Sequence, residues 1–361
     1  MLELLISTLA LLAVPVAILC VIDDWFVRPG RQLVLKDGQP SPDPLVMRLL
    51  YGALPILVIA WFFQLMSAQR ADFSLVLIVI TLVSGVTWAV DHWILAPRRY
   101  AAARAAGREI ESLQLPGTVD YARSFFPVMA VLLVLRSFFY EPYRIPSDSM
   151  MPTLLDGDFI LVNKYAYGVR LPVVHRKVLE IGTPERGDVA VFRFPADPAV
   201  NYVKRVVGLP GDLVEMRNDQ LIINGTPVPL VQQGRYEDGC YQNMRIAEET
   251  LDGRRHGVLH CLSSDMITVP QLPSCNRSIP QGYICNESTA GINPDLGDRV
   301  MKVPEGQYLM VGDNRDNSSD GRVWGFVDES LLVGRASAIW FNWDLQRSGG
   351  PNWSRIFTRI E

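Results

Sequence analysis

Apolar residues run in four long stretches over the first part of the chain, at about Leu4 to Ile22, Leu49 to Met66, Phe73 to Ala96 and Phe125 to Tyr140. Each predicts a helix able to cross a bilayer, which takes roughly 20 apolar residues. The fourth is the shortest and carries Arg136. After Glu141 the pattern changes to short β-branched and aromatic runs broken by Gly, Pro and Asp, such as Phe159-Ile-Leu-Val, Asp188-Val-Ala-Val-Phe, Tyr202-Val-Lys-Arg-Val-Val and Tyr308-Leu-Met-Val. These predict a mainly β domain of antiparallel sheets on an N-terminal α-helical membrane anchor. Asn224-Gly225 between apolar residues predicts a two-residue hairpin turn. From about Val231 to Arg299 the chain reads as polar and irregular.

Lys and Arg in the short loops set the expected orientation. Arg28, Arg31, Lys36 and Arg48 flank the first loop, and Arg98, Arg99, Arg104, Arg108 and Arg123 fill or border the third. Both loops are expected in the cytoplasm, leaving both termini and the β domain outside. A cleavable leader is not expected, because no basic residue precedes Leu4 and no small-x-small site precedes Asp23. Val21-Ile-Asp-Asp-Trp-Phe-Val-Arg-Pro-Gly-Arg31 echoes Ala89-Val-Asp-His-Trp-Ile-Leu-Ala-Pro-Arg-Arg99, each at the end of an apolar run, which suggests a duplicated hairpin. The organisation expected is therefore an additional transmembrane hairpin over 1–66, an anchor hairpin over 67–140 with a cytoplasmic loop at 97–122, a β domain built from 141–230 and 300–361, and an inserted cysteine-rich subdomain at 231–299.

The apolar share of 49% suits a chain that meets lipid, and the net charge of −4 offers no basic stripe for nucleic acid. Of the five cysteines, Cys20 lies in an apolar run, whereas Cys240, Cys261, Cys275 and Cys285 cluster in the insertion. An even number there is expected to form disulfides in an oxidising compartment, with the pairing left open.

Three runs carry chemistry. Ile145-Pro-Ser-Asp-Ser-Met-Met-Pro-Thr153 places Ser149 between two prolines just after the fourth apolar run. A nucleophilic serine needs a base, and none of His92, His175, His256 and His260 stands in a triad context. A lysine serves if burial lowers its pKa, because desolvation disfavours the ammonium form. Lys204, in Asn201-Tyr-Val-Lys-Arg-Val-Val-Gly-Leu-Pro-Gly-Asp212, falls on the same side of a strand as Tyr202 and Val206. The third run, Gly312-Asp-Asn-Arg-Asp-Asn-Ser-Ser-Asp-Gly-Arg-Val-Trp-Gly-Phe326, is dense in short polar side chains that build rigid turns. Its Asp316, Ser318 and Asp320 mimic the start of a calcium loop, but the closing bidentate position falls on Val327.

Together with Arg186-Gly-Asp-Val, these runs resemble the type I bacterial signal peptidases (leader peptidases), over roughly Phe126 to Asp344 and in that family's order. The resemblance implies a serine endopeptidase of the bacterial inner membrane, multi-pass, with its catalytic domain in the periplasm. Its substrates would be exported preproteins, cut after small-x-small sites of the Ala-x-Ala kind. It implies Ser149 as nucleophile and Lys204 as general base, Ser147 joining the Ser149 backbone N–H in an oxyanion hole, and Ser318 orienting the lysine. Asp320 and Arg322 match a structural pair, and Tyr143, Ile145, Pro146, Met150, Leu154, Tyr202 and Val203 match the substrate pocket. No cofactor or metal is implied, and partners beyond substrate are the bilayer and the export machinery. Two departures stand out: Asp148 sits where relatives often carry glycine and is expected to face solvent, and the anchor is longer than the usual two spans. Trp340, Phe341 and Trp343 would seat the domain at the membrane interface. The competing readings are a membrane-tethered metal-binding protein using His256, His260 and Cys261 with other cysteines, and a preprotein-binding protein without protease activity. Against them stand the absence of any C-x-x-C and the presence of Ser149, Lys204, Ser147 and Ser318 together.

Overall fold

The computed structural model describes residues 2–33, 35–36, 39–40, 43–67, 73–107, 115–217, 219–238, 241–260, 300–343 and 350–360. The chain divides into two units, Met1–Leu135 and Arg136–Glu361. Cys240, Cys261, Cys275 and Cys285, and with them the expected disulfides, lie outside the described residues.

In the first unit the apolar runs form helices, as continuous apolar sequence does when each backbone group must be satisfied within its own segment. These are α1 (Leu2–Ile22), α2 (Leu45–Ser67), α3 (Phe73–Val90) and α4 (Gly117–Val134). Helix α1 packs on α2 and α3 on α4. Among the described residues, two continuous helices, Ser74–Ala105 and Gly117–Phe139, are long and apolar enough to cross a membrane. The two echoing segments fold alike. Each begins with a five-residue π-turn, Asp23–Val27 in one and Asp91–Leu95 in the other. In each the first aspartate is buried and paired with the arginine eight residues on, Asp23 to Arg31 at 2.6 Å and Asp91 to Arg99 at 2.5 Å. Asp24, fully buried, caps α4 by accepting from Gly117 N (3.0 Å), Thr118 N (2.6 Å) and Thr118 Oγ1 (2.6 Å). A carboxylate here meets the unpaired N–H groups at a helix start.

The second unit is mainly antiparallel β, the fold class the sequence predicts. An eight-stranded sheet runs in the order Val327–Asp328, Gln307–Val311, Asp197–Gly208, Val189–Phe194, Leu332–Asn342, Asp158–Asn163, Tyr140–Arg144, with Thr358–Arg359 also paired to Leu332–Asn342. We label its main strands β1 (Tyr140–Arg144), β2 (Asp158–Asn163), β3 (Val189–Phe194) and β4 (Asp197–Gly208). After them come β5 (Leu213–Arg217), β6 (Gln220–Ile223), β7 (Leu230–Asp238), β8 (Tyr241–Leu251), β9 (Arg254–His260), β10 (Gln307–Val311) and β11 (Leu332–Asn342). Asn224 and Gly225, both at positive φ, make the turn after β6 that brings Ile223 opposite Thr226. The segment read as irregular differs from that reading over 230–238 and 241–260, where β7, β8 and β9 form a three-stranded antiparallel sheet, with register shifts in the β7–β8 pairing. Met244, Ala247, Leu251, Val258 and Leu259 are buried in it alongside Glu249, His256 and His260, so its buried face mixes apolar and ionisable groups.

The catalytic-type runs sit around one core. Ile145, Met150, Leu154, Ile160, Val162, Val189, Val191, Ala336 and Ile339 pack together beneath the Ser149 segment. A second cluster around Val207, Val214, Leu251, Leu309 and Val311 supports the turn that begins at Gly312. Core packing on both sides of β4 leaves Lys204, Arg205, Val206 and Val207 all buried.

Candidate active site

Ser149 sits in a single 3-10 turn, Asp148–Met150, entered through extended Ser147. Met150 is anchored in the core, which fixes the turn. Lys204 reaches it from the middle of β4, where Ala190 of β3 is its cross-strand neighbour. Its Nζ donates to Ser149 Oγ at 2.5 Å in buried surroundings, although the two residues are 55 positions apart. Ser147 Oγ lies 3.5 Å from Ser149 Oγ. Burial lowers the Lys204 pKa from 10.5 to about 8, against the opposing pull of the Asp320 and Asp313 carboxylates and with help from the Arg322 charge. The site thus holds an amine that loses its proton near neutrality, in contact with a hydroxyl.

The Gly312 to Arg322 run wraps the serine segment from the far side. Asn314 N donates to Ser149 O (3.1 Å) and Asn314 Nδ2 to Asp148 O (3.1 Å), so one residue holds two consecutive carbonyls of the Ser149 turn. Asp148 itself is half-buried, which differs from the solvent-facing position expected for it. Asp313 accepts from Arg205 Nε and Nη2, both at 2.8 Å, and from Thr153 Oγ1 at 2.5 Å. Burial raises the Asp313 carboxyl, but Arg205 outweighs it and the pKa is lowered. Asp320 accepts from Arg322 Nε and Nη2 (both 2.8 Å) and from Gly312 N (2.8 Å), again with burial outweighed by its arginine. With both oxygens occupied, Asp320 closes a turn and the arrangement of a calcium loop is not formed.

Ser318 is fully buried, and its Oγ has no hydrogen-bond partner among the described residues. It packs against Gly312 so tightly that a Cβ added there would lie 2.2 Å from Ser318 Oγ and 2.6 Å from Ser149 O. Only glycine allows this approach.

A cleft of about 430 Å³ opens at the serine, lined by Tyr143, Ile145, Pro146, Met150, Tyr202 and Val203 together with Ser147, Ser149 and Lys204. Tyr202 stacks on Phe194 at 4.5 Å between centroids and places its ring 5.6 Å from Lys204 Nζ. Leu154 does not line the cleft; it lies fully buried in the core behind Ile145 and Met150. Trp340 and Trp343 are exposed to 41% and 46%, at the end of β11 and just past it.

Behind the loop, Leu259 at the end of β9 gives its N–H to Asp313 O and takes that of Arg315, both at 2.9 Å. Arg315 Nη2 donates to Glu249 Oε2 at 2.5 Å, and both groups are buried. Burial pushes the Glu249 carboxyl up, but Arg315 and His256 beside it hold it down to about 2. His260, buried and next to Arg315, is lowered to about 4 by burial first and by that charge second. Asp219, His260 and Asp316 bring one possible ligand atom each within 4.8 Å of one another, but Arg245 already takes an Asp219 oxygen at 2.5 Å. The cysteines of the competing metal-binding reading lie outside the described residues.

Sequence reasoning singled out Ser149, Lys204, Ser147 and Ser318, and missed Asn314, Gly312, Thr153 and the Arg205–Asp313 and Arg315–Glu249 pairs. Asn314, Arg205 and Arg315 stand in visible motifs, but the partners they touch lie 66 to 166 positions away along the chain.

The family model for signal peptidase, peptidase S26, matches residues 118–343. Similar proteins include a protein named signal peptidase I from Pseudomonas fluorescens, 40% identical over 306 residues, covering 79% of this chain and 98% of that one. One of the same name from Pseudomonas aeruginosa is 40% identical over 305 residues with the same two coverages. Another, from Buchnera aphidicola subsp. Acyrthosiphon pisum, is 35% identical over 269 residues, covering 64% of this chain and 78% of that one.

Proposed function

The chain belongs to the signal peptidase family, peptidase S26, and from that premise we propose that it is a membrane-attached serine endopeptidase that removes signal peptides from exported preproteins through Ser149 and Lys204. The observation that carries the residue assignment is the buried 2.5 Å contact from Lys204 Nζ to Ser149 Oγ at the floor of an open cleft.

In the proposed cycle, neutral Lys204 takes the Ser149 hydroxyl proton as Oγ attacks the scissile carbonyl carbon. The oxyanion that forms is held by the Ser149 backbone N–H and the Ser147 hydroxyl, a pair in which loss of one donor typically costs on the order of 100-fold or more in rate. As the C–N bond breaks, the Lys204 ammonium returns the proton to the leaving amine, and the mature protein departs. A water then gives its proton to Lys204 and attacks the acyl-enzyme, releasing the signal peptide as a carboxylate and restoring the serine. Burial of the amine supports this reading, since a pKa near 8 leaves a useful fraction unprotonated at neutral pH.

Ser318 is assigned to orient the lysine during the cycle; its buried hydroxyl, without a partner among the described residues, has donor and acceptor capacity to spare for Lys204. Asp320, Arg322, Asn314 and Gly312 hold the loop shape. The apolar lining from Tyr143, Ile145, Pro146, Met150, Tyr202 and Val203 favours small residues before the cut, as an Ala-x-Ala preference requires, with Leu154 shaping it from behind. We place the chain in the bacterial inner membrane as a multi-pass protein with the β unit in the periplasm, on the Lys and Arg pattern of the loops. The domain organisation proposed is the one read from the sequence: hairpins over 1–66 and 67–140, a catalytic domain from 141–230 and 300–361, and an insertion at 231–299. The bilayer is the partner of the apolar helices, and Trp340 and Trp343 reach its interface. The 1–66 hairpin is the segment available to the export machinery. Detergent-solubilised wild type should cleave a preprotein carrying an Ala-x-Ala site, while Ser149→Ala and Lys204→Met should not. Undiminished cleavage by either variant would refute the assignment.

A further inference from the structure

A second cleft, of about 620 Å³, lies in the β unit apart from the serine, and four arginines line it: Arg254, Arg255, Arg335 and Arg359. The carboxylate lining it is Asp188. That carboxylate is committed to Arg254 and accepts from Tyr167 OH at 3.0 Å, and Arg335 reaches it only at 3.4 Å with 41% of its side chain exposed. Arg255 is 72% exposed and has only a 3.8 Å approach to Glu248. Arg359 is exposed and makes no ion pair among the described residues. Arg254 is also paired with Glu185, so the positive charge left over in the cleft comes from Arg255 and Arg359, with Arg335 only loosely held. Positive guanidinium groups with unused donors around a concavity suit an oxyanion ligand, since their planar forks match phosphate oxygens two at a time.

The chain itself indicates which anion. Tyr140 also lines this cleft, and it follows directly on Phe139, the last residue of the long apolar helix Gly117–Phe139. Along the sequence the cleft thus begins one residue after a membrane-crossing helix ends, where headgroups are the nearest anions. Basic side chains next to such a helix attract anionic lipid, and the attraction falls off within a Debye length of the surface. A cleft lined by guanidinium groups gives an apolar peptide little to pack on. We propose that this cleft binds the phosphate of an anionic phospholipid headgroup, a site that rests on the membrane-attached reading above.

The test uses the full-length protein in a neutral detergent, titrated with phosphatidylglycerol, phosphatidylcholine or inorganic phosphate, with the unfolding midpoint as readout. A ligand that binds only the folded state raises that midpoint. Phosphatidylglycerol should raise it for the wild type, and phosphatidylcholine and inorganic phosphate should not. Arg335→Gln with Arg359→Gln should weaken the apparent affinity for phosphatidylglycerol by about tenfold or more, the scale of losing charge-assisted hydrogen bonds. Arg335→Lys with Arg359→Lys should keep much of it, and Arg217→Gln, outside the cleft, should behave as wild type. If the double glutamine variant does not fold, Arg359→Gln alone, at an exposed position, carries the comparison. Equal responses of wild type and glutamine variant would overturn the site. So would an equal midpoint rise with inorganic phosphate, which would make the ligand a soluble phosphate. Preprotein cleavage in phosphatidylcholine micelles is measured alongside. Its absence would count against the protease reading, whereas cleavage without any lipid response would count against the headgroup site alone.

Discussion

The burial that would suit Lys204 to the proposed role of base also makes it costly as a structural residue. Buried on β4, it holds a pKa of about 8 where an exposed lysine has 10.5, so between those values the unfolded chain binds more protons than the folded one. Stability contributed at this position is therefore lowest below pH 8 and recovers as pH rises toward 10.5. A shift of this size corresponds to about 3 kcal/mol as an upper figure. Lys204→Met is expected to abolish cleavage and yet to stabilise the protein at pH 7, with the gain fading by pH 10; urea unfolding at the two pH values measures this, and a variant less stable than wild type at pH 7 would count against it. Gly312 is a second residue-scale test. A methyl group there would stand 2.5 Å from Ser318 Cβ and 2.6 Å from Ser149 O. Gly312→Ala should lower kcat by on the order of 100-fold through displacement of the Ser149 turn, read from turnover of a saturating preprotein by folded variant.

Elements explain what the residues alone do not. Strand β9 holds the Gly312 to Arg322 run through Leu259, and β8 contributes Glu249 to the buried Arg315. Removing one partner of a buried ion pair typically costs 3–5 kcal/mol, so Glu249→Leu should unfold at markedly lower urea concentration than wild type and lose activity with it. The same region sets acid sensitivity. His260 takes up its proton in the unfolded chain near pH 6.5 but in the folded protein only near 4, so stability falls as pH drops through that window. Glu249, held down to about 2, extends the loss from pH 4.5 downward. Urea midpoints at pH 7 and pH 5 should therefore differ for wild type, and His260→Leu should narrow the difference. These dependencies were hidden from the sequence. Alternation placed Lys204 beside Tyr202 and marked the Asn224-Gly225 turn, since both are local signals. The strands of 230–238 and 241–260 carry too many polar residues for their buried apolar residues to stand out, and buried charges such as Arg205 and Arg315 look solvated until their distant partners are known.

Across the whole chain, the helical anchor and β unit were legible from the change of hydrophobic period, and the family from motifs spread over both. The eleven-residue echo is matched in the structure by π-turns with the pairs Asp23–Arg31 and Asp91–Arg99. The copies differ at one informative position, where Asp24 caps α4 and its counterpart is His92. Losing a cap of this kind typically costs 0.5–2 kcal/mol, so Asp24→Ala should lower the thermal midpoint of the solubilised protein modestly, whereas His92→Ala should leave it nearly unchanged.

The account as a whole stands on a neutral Lys204 activating Ser149. Its most direct test is the pH dependence of kcat/KM for cleavage of an Ala-x-Ala preprotein by the wild type, which reports the base of the free enzyme. The rate should rise with pH along a single ionisation centred near 8. A midpoint near 6.5, as for an ordinary histidine, or near 10.5, as for an exposed lysine, would contradict it.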